Sequence, residues 1–296
     1  MLTLSAGESS LVLAPDIGGA IVGWMHGSVP LLRRPHPEAI LLRNARGLGC
    51  FPLVPFSNRI AWGQFHWNGG DHALERNLGD HPHSIHGVGW QAAWDVASVA
   101  ATSAVLSLRH DAVGAQARHW PFAFAAEQRF TLTPDALHVV LTMTNLHADP
   151  APAGLGLHPY FPRAGAPALQ FNAVDVWLNG DDALPAGRIA VPPDWQHRSG
   201  KPIGVASLDN CFAGWNGRAQ IAWADGRGTL AIEAGGLFSH LIVYTPLGQD
   251  FFCVEPVSHM TDAINRMNAV PDHGVHTLAP GGTLKGEVTF QLATGG

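Results

Sequence analysis

Seventeen histidines and 23 acidic residues make up most of the chain's proton-transfer groups. A few of them stand where an apolar sequence would not otherwise carry them. His158 follows a glycine-rich apolar stretch, residues 153–157, and precedes Pro159-Tyr160-Phe161. Proline restrains the residue before it to extended backbone, which gives a partly buried imidazole a rigid mount. The competing reading is a core histidine bonded to a backbone carbonyl. Glu255 repeats the design: it follows the apolar run 251–254 and precedes Pro256. A carboxylate there is costly to desolvate unless it is paired or used, so it is either a reactive group or half of an ion pair with Arg59 or Arg266. Arg59, inside Phe56-Ser57-Asn58-Arg59-Ile60, is a rigid multi-donor fork suited to hydroxyls or carboxylates, or to a buried salt bridge. Asp209, in Leu208-Asp209-Asn210-Cys211-Phe212, offers a carboxylate beside an apolar run, or an Asx-type turn.

The densest histidine cluster is Asp80-His81-Pro82-His83-Ser84-Ile85-His86-Gly87. Its H-x-H-x-x-H spacing invites a metal, since imidazole is a common transition-metal ligand. On a strand, however, His81 and His83 would share a face and His86 would oppose them. No cysteine or H-E-x-x-H companion is near. No metal site is assigned, and at most one member of the cluster is expected to be functional. No nucleophile elbow, P-loop or dinucleotide fingerprint occurs in a strand–helix context.

The elements that must hold these residues are strands. Glycine (34) and proline (22) punctuate the chain too often for a helical bundle. Phe122, Phe124, Ala126, Gln128, Phe130 and Leu132 alternate. After Thr133-Pro134-Asp135-Ala136, Leu137, Val139, Leu141 and Met143 alternate again, which predicts an antiparallel hairpin with one buried face. Further strands are expected near 11–13, 20–25, 94–99, 104–109, 229–233, 240–245, 251–254 and 286–292. A short helix is expected over 258–267, capped by Ser258 or Thr261, and loops between residues 148 and 187. No repeat, linker or composition shift divides the chain. The expectation is an all-β fold, one large antiparallel β-sandwich domain over residues 1–296 with few short helices.

Charged residues are only 14 % and the net charge is −6, with two lysines. The absence of a basic stripe argues against nucleic acid or an anionic membrane as partner. No apolar stretch reaches the roughly 18–20 residues of a membrane span, and the first ten residues do not read as a signal peptide. Three scattered cysteines read as free thiols in a reducing compartment, so a cytoplasmic protein with a weakly charged ligand is expected.

In order along the chain, several segments resemble the aldose 1-epimerase (galactose mutarotase) family. These are Leu13-Ala14-Pro15-Asp16-Ile17-Gly18-Gly19, then Asn58-Arg59-Ile60 with Gly63 and Phe65, then His86-Gly87. His158-Pro159-Tyr160-Phe161, Leu208-Asp209-Asn210-Cys211-Phe212 and Val254-Glu255-Pro256 follow. The chain departs from the better-known galactose mutarotases in placing Val88, not a second glycine, after Gly87. It is closer to a bacterial branch of less-defined substrate. The resemblance implies a large antiparallel β-sandwich with a sugar cleft and cofactor-free interconversion of the anomers of a free aldose. It implies Glu255 as base at O1 and His158 as acid at O5, with His86 bonding the ring or anomeric oxygen. Arg59 and Asp209 would grip sugar hydroxyls, and Trp62, Trp90 or Tyr160 could offer a flat face to the sugar. With Glu255 ionised and His158 partly protonated, coupled titrations and a bell-shaped pH profile are expected. Two other activities are kept beside it. A hexose-6-phosphate epimerase would need a cationic subsite, for which Arg43, Arg46, Arg59, Arg76 and Arg163 are available without forming a tight cluster. A non-catalytic sugar-binding module would not need an acid–base pair.

Overall fold

Where apolar residues alternate with polar ones, the chain pairs into one-sided strands. Phe124–Leu132 and Ala136–Asn145 form the predicted hairpin, with Ala126 opposite Met143 and Phe130 opposite Val139. The computed structural model describes residues 1–204 and 207–293. The hairpin belongs to a nine-stranded sheet whose inner strands largely alternate in burial, as in Thr283–Ala293. A second sheet of eleven strands packs on it. Its path runs from Leu2–Ala6 through Ser9–Ala14, Ala20–His26, Cys50–Leu53, Gly156–Pro162, Phe251–Val257, His240–Tyr244, Asp209–Ala213 and Asp175–Asn179 to Pro185–Ala190. The strands pair antiparallel throughout the described residues, apart from one isolated parallel bridge between Val54 and Gly87. Rings from the two sheets meet between them: Trp24 and Phe161 each lie 6.4 Å from Phe290.

The central strands of the eleven-stranded sheet are buried on both faces, which is why they read as unbroken apolar runs. Period-two geometry then sorts their side chains. Leu157, Phe161, Phe252 and Val254 enter the core between the sheets. Tyr160 and Cys253 point to the opposite face, where they join Phe51, Trp90 and Trp177 in a second cluster. His158 and Glu255 share that parity.

Two local expectations give way. The segment 148–187 contains the strands Ala151–Ala153, Gly156–Pro162, Ala168–Phe171 and Asp175–Asn179 rather than loops, and a further strand, Pro185–Ala190, begins in it. Its glycines allow close approach instead: a Cβ on Gly154 would collide with the His259 ring. The helix expected over 258–267 reduces to a 3-10 turn, Ala263–Asn265. Asp262 precedes it in the left-handed conformation, its side chain committed elsewhere and not capping. No helix among the described residues is long and apolar enough to cross a membrane.

Candidate active site

The register that sets Gly156 opposite Val257 and Tyr160 opposite Cys253 also sets His158 opposite Glu255. Their side chains meet at 3.4 Å, His158 Nε2 to Glu255 Oε1, and both are almost fully buried. Phe51, the cross-strand neighbour of His158, has its ring centroid 4.5 Å from the imidazole. Tyr160 stacks on it at 4.6 Å and 21°. The two rings, 6.0 Å from each other, both pack on the imidazole and restrain its plane.

Burial disfavours both charged forms. It pushes the His158 imidazole down, to about 3, with help from the positive charges of Arg46 and Arg33. It pushes the Glu255 carboxyl well above the usual carboxylate range, Asp209 adding to the effect and Arg59 opposing it. At 3.4 Å the two groups act as one unit that holds a single proton near neutrality, either as acid and imidazole or as carboxylate and imidazolium. The expectation of a Glu255 ionised in its own right is therefore revised.

His86 lies beside the pair, its ring 5.1 Å from that of His158. Its ring Nδ1 accepts the Asn58 backbone N–H at 3.1 Å, while its backbone N–H donates to the Asn58 carbonyl at 2.9 Å. Both residues adopt positive φ to make this exchange. Gly87 follows at φ 74° because a Cβ there would strike the Val54 carbonyl. With Nδ1 accepting, His86 carries its proton on Nε2. Burial first, and His158 next, hold its pKa well below the ordinary value, so it is a neutral donor.

Arg59 stands on the two-residue strand Arg59–Ile60, paired with Ser84–Ile85 just before His86. Its Nη2 donates to Asp209 Oδ2 at 2.8 Å. So Arg59 pairs with Asp209, Arg266 pairs with Asp262 at 3.1 Å, and Glu255 is left to His158. The structure brings together all five residues singled out in the sequence. Arg59, His86, His158, Asp209 and Glu255 line one cavity of about 540 Å³.

The other histidines sort themselves by their bonds. His83 is fully buried and spends both ring nitrogens, on the Trp62 N–H and the Asp182 carbonyl. His81 reaches the cavity rim. Of the aromatics considered for the sugar face, Trp62 meets His83 edge-on outside the cavity and Trp90 stacks on Phe51. Only Tyr160 reaches the cavity, joined by Tyr244 and Phe251, which sequence reasoning missed. It also missed Arg33 and the supporting residues His259 and Asp262. His259 Nε2 accepts the Ser57 N–H at 3.0 Å and Asp262 Oδ1 accepts the Ala61 N–H at 3.0 Å, so together they hold the Arg59 segment. The buried group His158, Cys253 and Glu255 presents three metal-competent atoms within 4.8 Å of one another, but burial keeps the Cys253 thiol protonated.

Comparison with known proteins agrees with this architecture. The profile of the aldose 1-epimerase family matches residues 1–291. The uncharacterized protein YphB of Escherichia coli K12 is 32 % identical over 300 residues, covering 98 % of each chain. A candidate aldose 1-epimerase of the same organism superposes with a TM-score of 0.87 at 29 % identity, covering 99 % of this chain and 98 % of that one. A galactose mutarotase-like protein of Clostridium acetobutylicum shares the fold, with a TM-score of 0.87 at 18 % identity over 99 % and 95 %.

Proposed function

The chain belongs to the aldose 1-epimerase family, and on that premise we propose that it interconverts the α and β anomers of an aldose, with Glu255 and His158 as the proton-transfer pair. The observation that carries this reading is the 3.4 Å contact between His158 Nε2 and Glu255 Oε1 on the floor of a polar cavity. Ring opening takes a proton from the O1 hydroxyl and gives one to the ring oxygen, O5. The C1–O5 bond breaks as the C1–O1 double bond forms. Rotation about C1–C2 followed by the reverse steps yields the other anomer. In this reading the Glu255 carboxylate takes the O1 proton while the His158 imidazolium protonates O5. The pair passes from carboxylate and imidazolium to acid and imidazole, holding one proton in both states, so solvent need supply none. Burial favours the uncharged form, which coexists with the open-chain aldehyde, and so works in the direction of ring opening.

His86 Nε2–H donates to the ring or anomeric oxygen, and Arg59 with Asp209 holds hydroxyls. The whole of residues 1–296 is read as one catalytic domain. A cytoplasmic setting accords with three buried free thiols, Cys50, Cys211 and Cys253. A passive sugar-binding module is the weaker reading, because a buried acid–base pair is costly to keep unused.

Polarimetry on freshly dissolved α-glucose and α-galactose tests the proposal. Wild-type protein should speed the approach to equilibrium rotation. Glu255→Gln and His158→Asn should each slow it by about 10²-fold or more. A wild type that speeds no aldose, or variants as fast as wild type, would overturn it.

A further inference from the structure

We propose that the side of the cavity bounded by Arg33 and Arg46 is an oxyanion subsite, and that the preferred aldose carries an acidic group, carboxylate or phosphate, on the substituent next to its ring oxygen. This rests on the mutarotase reading and narrows its substrate.

The charges around the cavity do not cancel. Arg59 is neutralised by Asp209, and Glu255 and His158 share one proton. Arg33 and Arg46 also line the cavity, and neither has a carboxylate within 4 Å among the described residues. Nine of the chain's fifteen arginines do have one. Asp250 acts on Arg33 only from beyond that distance, so two arginines without a contacting carboxylate face one cleft in a chain of net charge −6. Arg33 is not a surface arginine left over by chance, since it is only 5 % exposed. Burying a guanidinium without a counter-charge is costly. Its plane is fixed over Tyr160 and Phe251, with Cζ 4.0 and 4.6 Å from the ring centroids. Nη2 donates to the carbonyls of Arg46 at 2.5 Å and Leu48 at 2.9 Å, while Nε is buried without a partner. Such a guanidinium is pre-organised and still has N–H groups to offer. Arg46 sits beside it on the 3-10 turn Ala45–Gly47, which Asn44 caps. Its backbone carbonyl is held by Arg33, and its side chain is exposed, with no hydrogen bond or ion pair among the described residues.

Position selects the part of the sugar that meets these cations. The Arg33–Tyr160 and Tyr160–His158 spacings together keep the Arg33 guanidinium within about 8.6 Å of the His158 ring. His158 faces the ring oxygen in the proposed chemistry. The exocyclic substituent on C5 is attached beside that oxygen, so a group at its end falls toward Arg33 and Arg46. An oxyanion there would also offset the two positive charges that oppose protonation of His158. The sequence contained Arg46 among scattered arginines, but Arg33 reaches the cleft only through folding.

Anomer-exchange NMR on the full chain, with glucose, glucuronate and glucose 6-phosphate, tests the proposal. The expected result is a kcat/KM for at least one acidic sugar about tenfold or more above that for glucose. Comparing the two acids separates a carboxylate from a phosphate site. Arg46→Gln should lower the acidic-to-neutral ratio by about 10- to 100-fold. Arg46→Lys should recover part of it, because the point charge returns without the planar fork. Arg46 is exposed, so both variants should fold, which an unchanged thermal midpoint checks. Glucose exchange as fast as that of both acids, or a ratio indifferent to Arg46→Gln, overturns the proposal while the mutarotase reading stands. If wild type exchanges none of the three, both fall.

Discussion

At the scale of residues, two prolines made the proposed proton-transfer pair stand out in the sequence. Pro159 and Pro256 follow His158 and Glu255 on apolar strands, where a polar side chain needs a reason to be. Local sequence could not show what each would touch. Glu255 had Arg59 and Arg266 as possible partners, yet folding gives those arginines to Asp209 and Asp262. The Arg59–Asp209 bond spans 150 residues, and no local pattern encodes it. Arg33 was invisible for the same reason, since its ring contacts and carbonyl acceptors all lie well outside its own segment. Burial also shifts the expected pH behaviour. The pair takes up a second proton only near the depressed His158 value of about 3. It gives up its one proton only above the raised value of Glu255. Both limbs of the bell-shaped profile therefore move outward. A kcat/KM profile between pH 5 and 8 should be level through 6.5, whereas an inflection at 6.5 would mean a histidine titrating by itself.

At the scale of elements, alternation identified the one-sided strands of the nine-stranded sheet, while the strands that bear the site gave no alternation because both faces are covered. The glycine-rich segment 148–187 was read as loops. Its glycines serve contact instead, and Gly154 is the clearest instance. It lies against His259, whose Nε2 accepts the Ser57 N–H and whose Nδ1–H donates to the Met260 carbonyl at 2.7 Å. Gly154→Ala should displace that ring, loosen residues 57–59 and lower stability by about 1–3 kcal/mol. The proposed epimerase activity should fall with it, although Gly154 does not line the cavity. Gly187→Ala, where an added Cβ meets nothing within 4 Å, should stay within about 0.5 kcal/mol of wild type. Denaturant melts and polarimetry on both variants check this, and a Gly154→Ala protein as stable and active as Gly187→Ala would refute it.

At the scale of the whole molecule, a high glycine and proline content and many period-two runs pointed to a large β-sandwich, and the fold agrees. Its buried histidines predict how stability follows pH. His240 and His259 are held neutral by burial, both lowered to about 4. Between about 4 and the unfolded value near 6.5, the unfolded chain binds more protons at these sites. Stability from them is therefore full above 6.5 and lost as pH falls, by about 2 kcal/mol for each histidine at pH 5. The His158–Glu255 pair adds no slope between about 4.5 and 6.5, because folded and unfolded forms each hold about one proton there. Above 6.5 the folded pair keeps a proton that the unfolded chain loses, so its contribution declines as pH rises. Stability should peak near pH 6.5. Urea denaturation at pH 5, 6.5 and 8 checks this, and greater stability at pH 5 than at 6.5 would contradict it.

On the proposed mechanism His158 and Glu255 pass a single proton as one unit. A double-mutant cycle on anomer exchange tests it most directly, using His158→Asn, Glu255→Gln and the double variant on the best aldose substrate. Groups that act together lose their effect together. Each single variant should be nearly as slow as the double. Losses that multiply, so that the double variant is slower than either single by the full product, would contradict it.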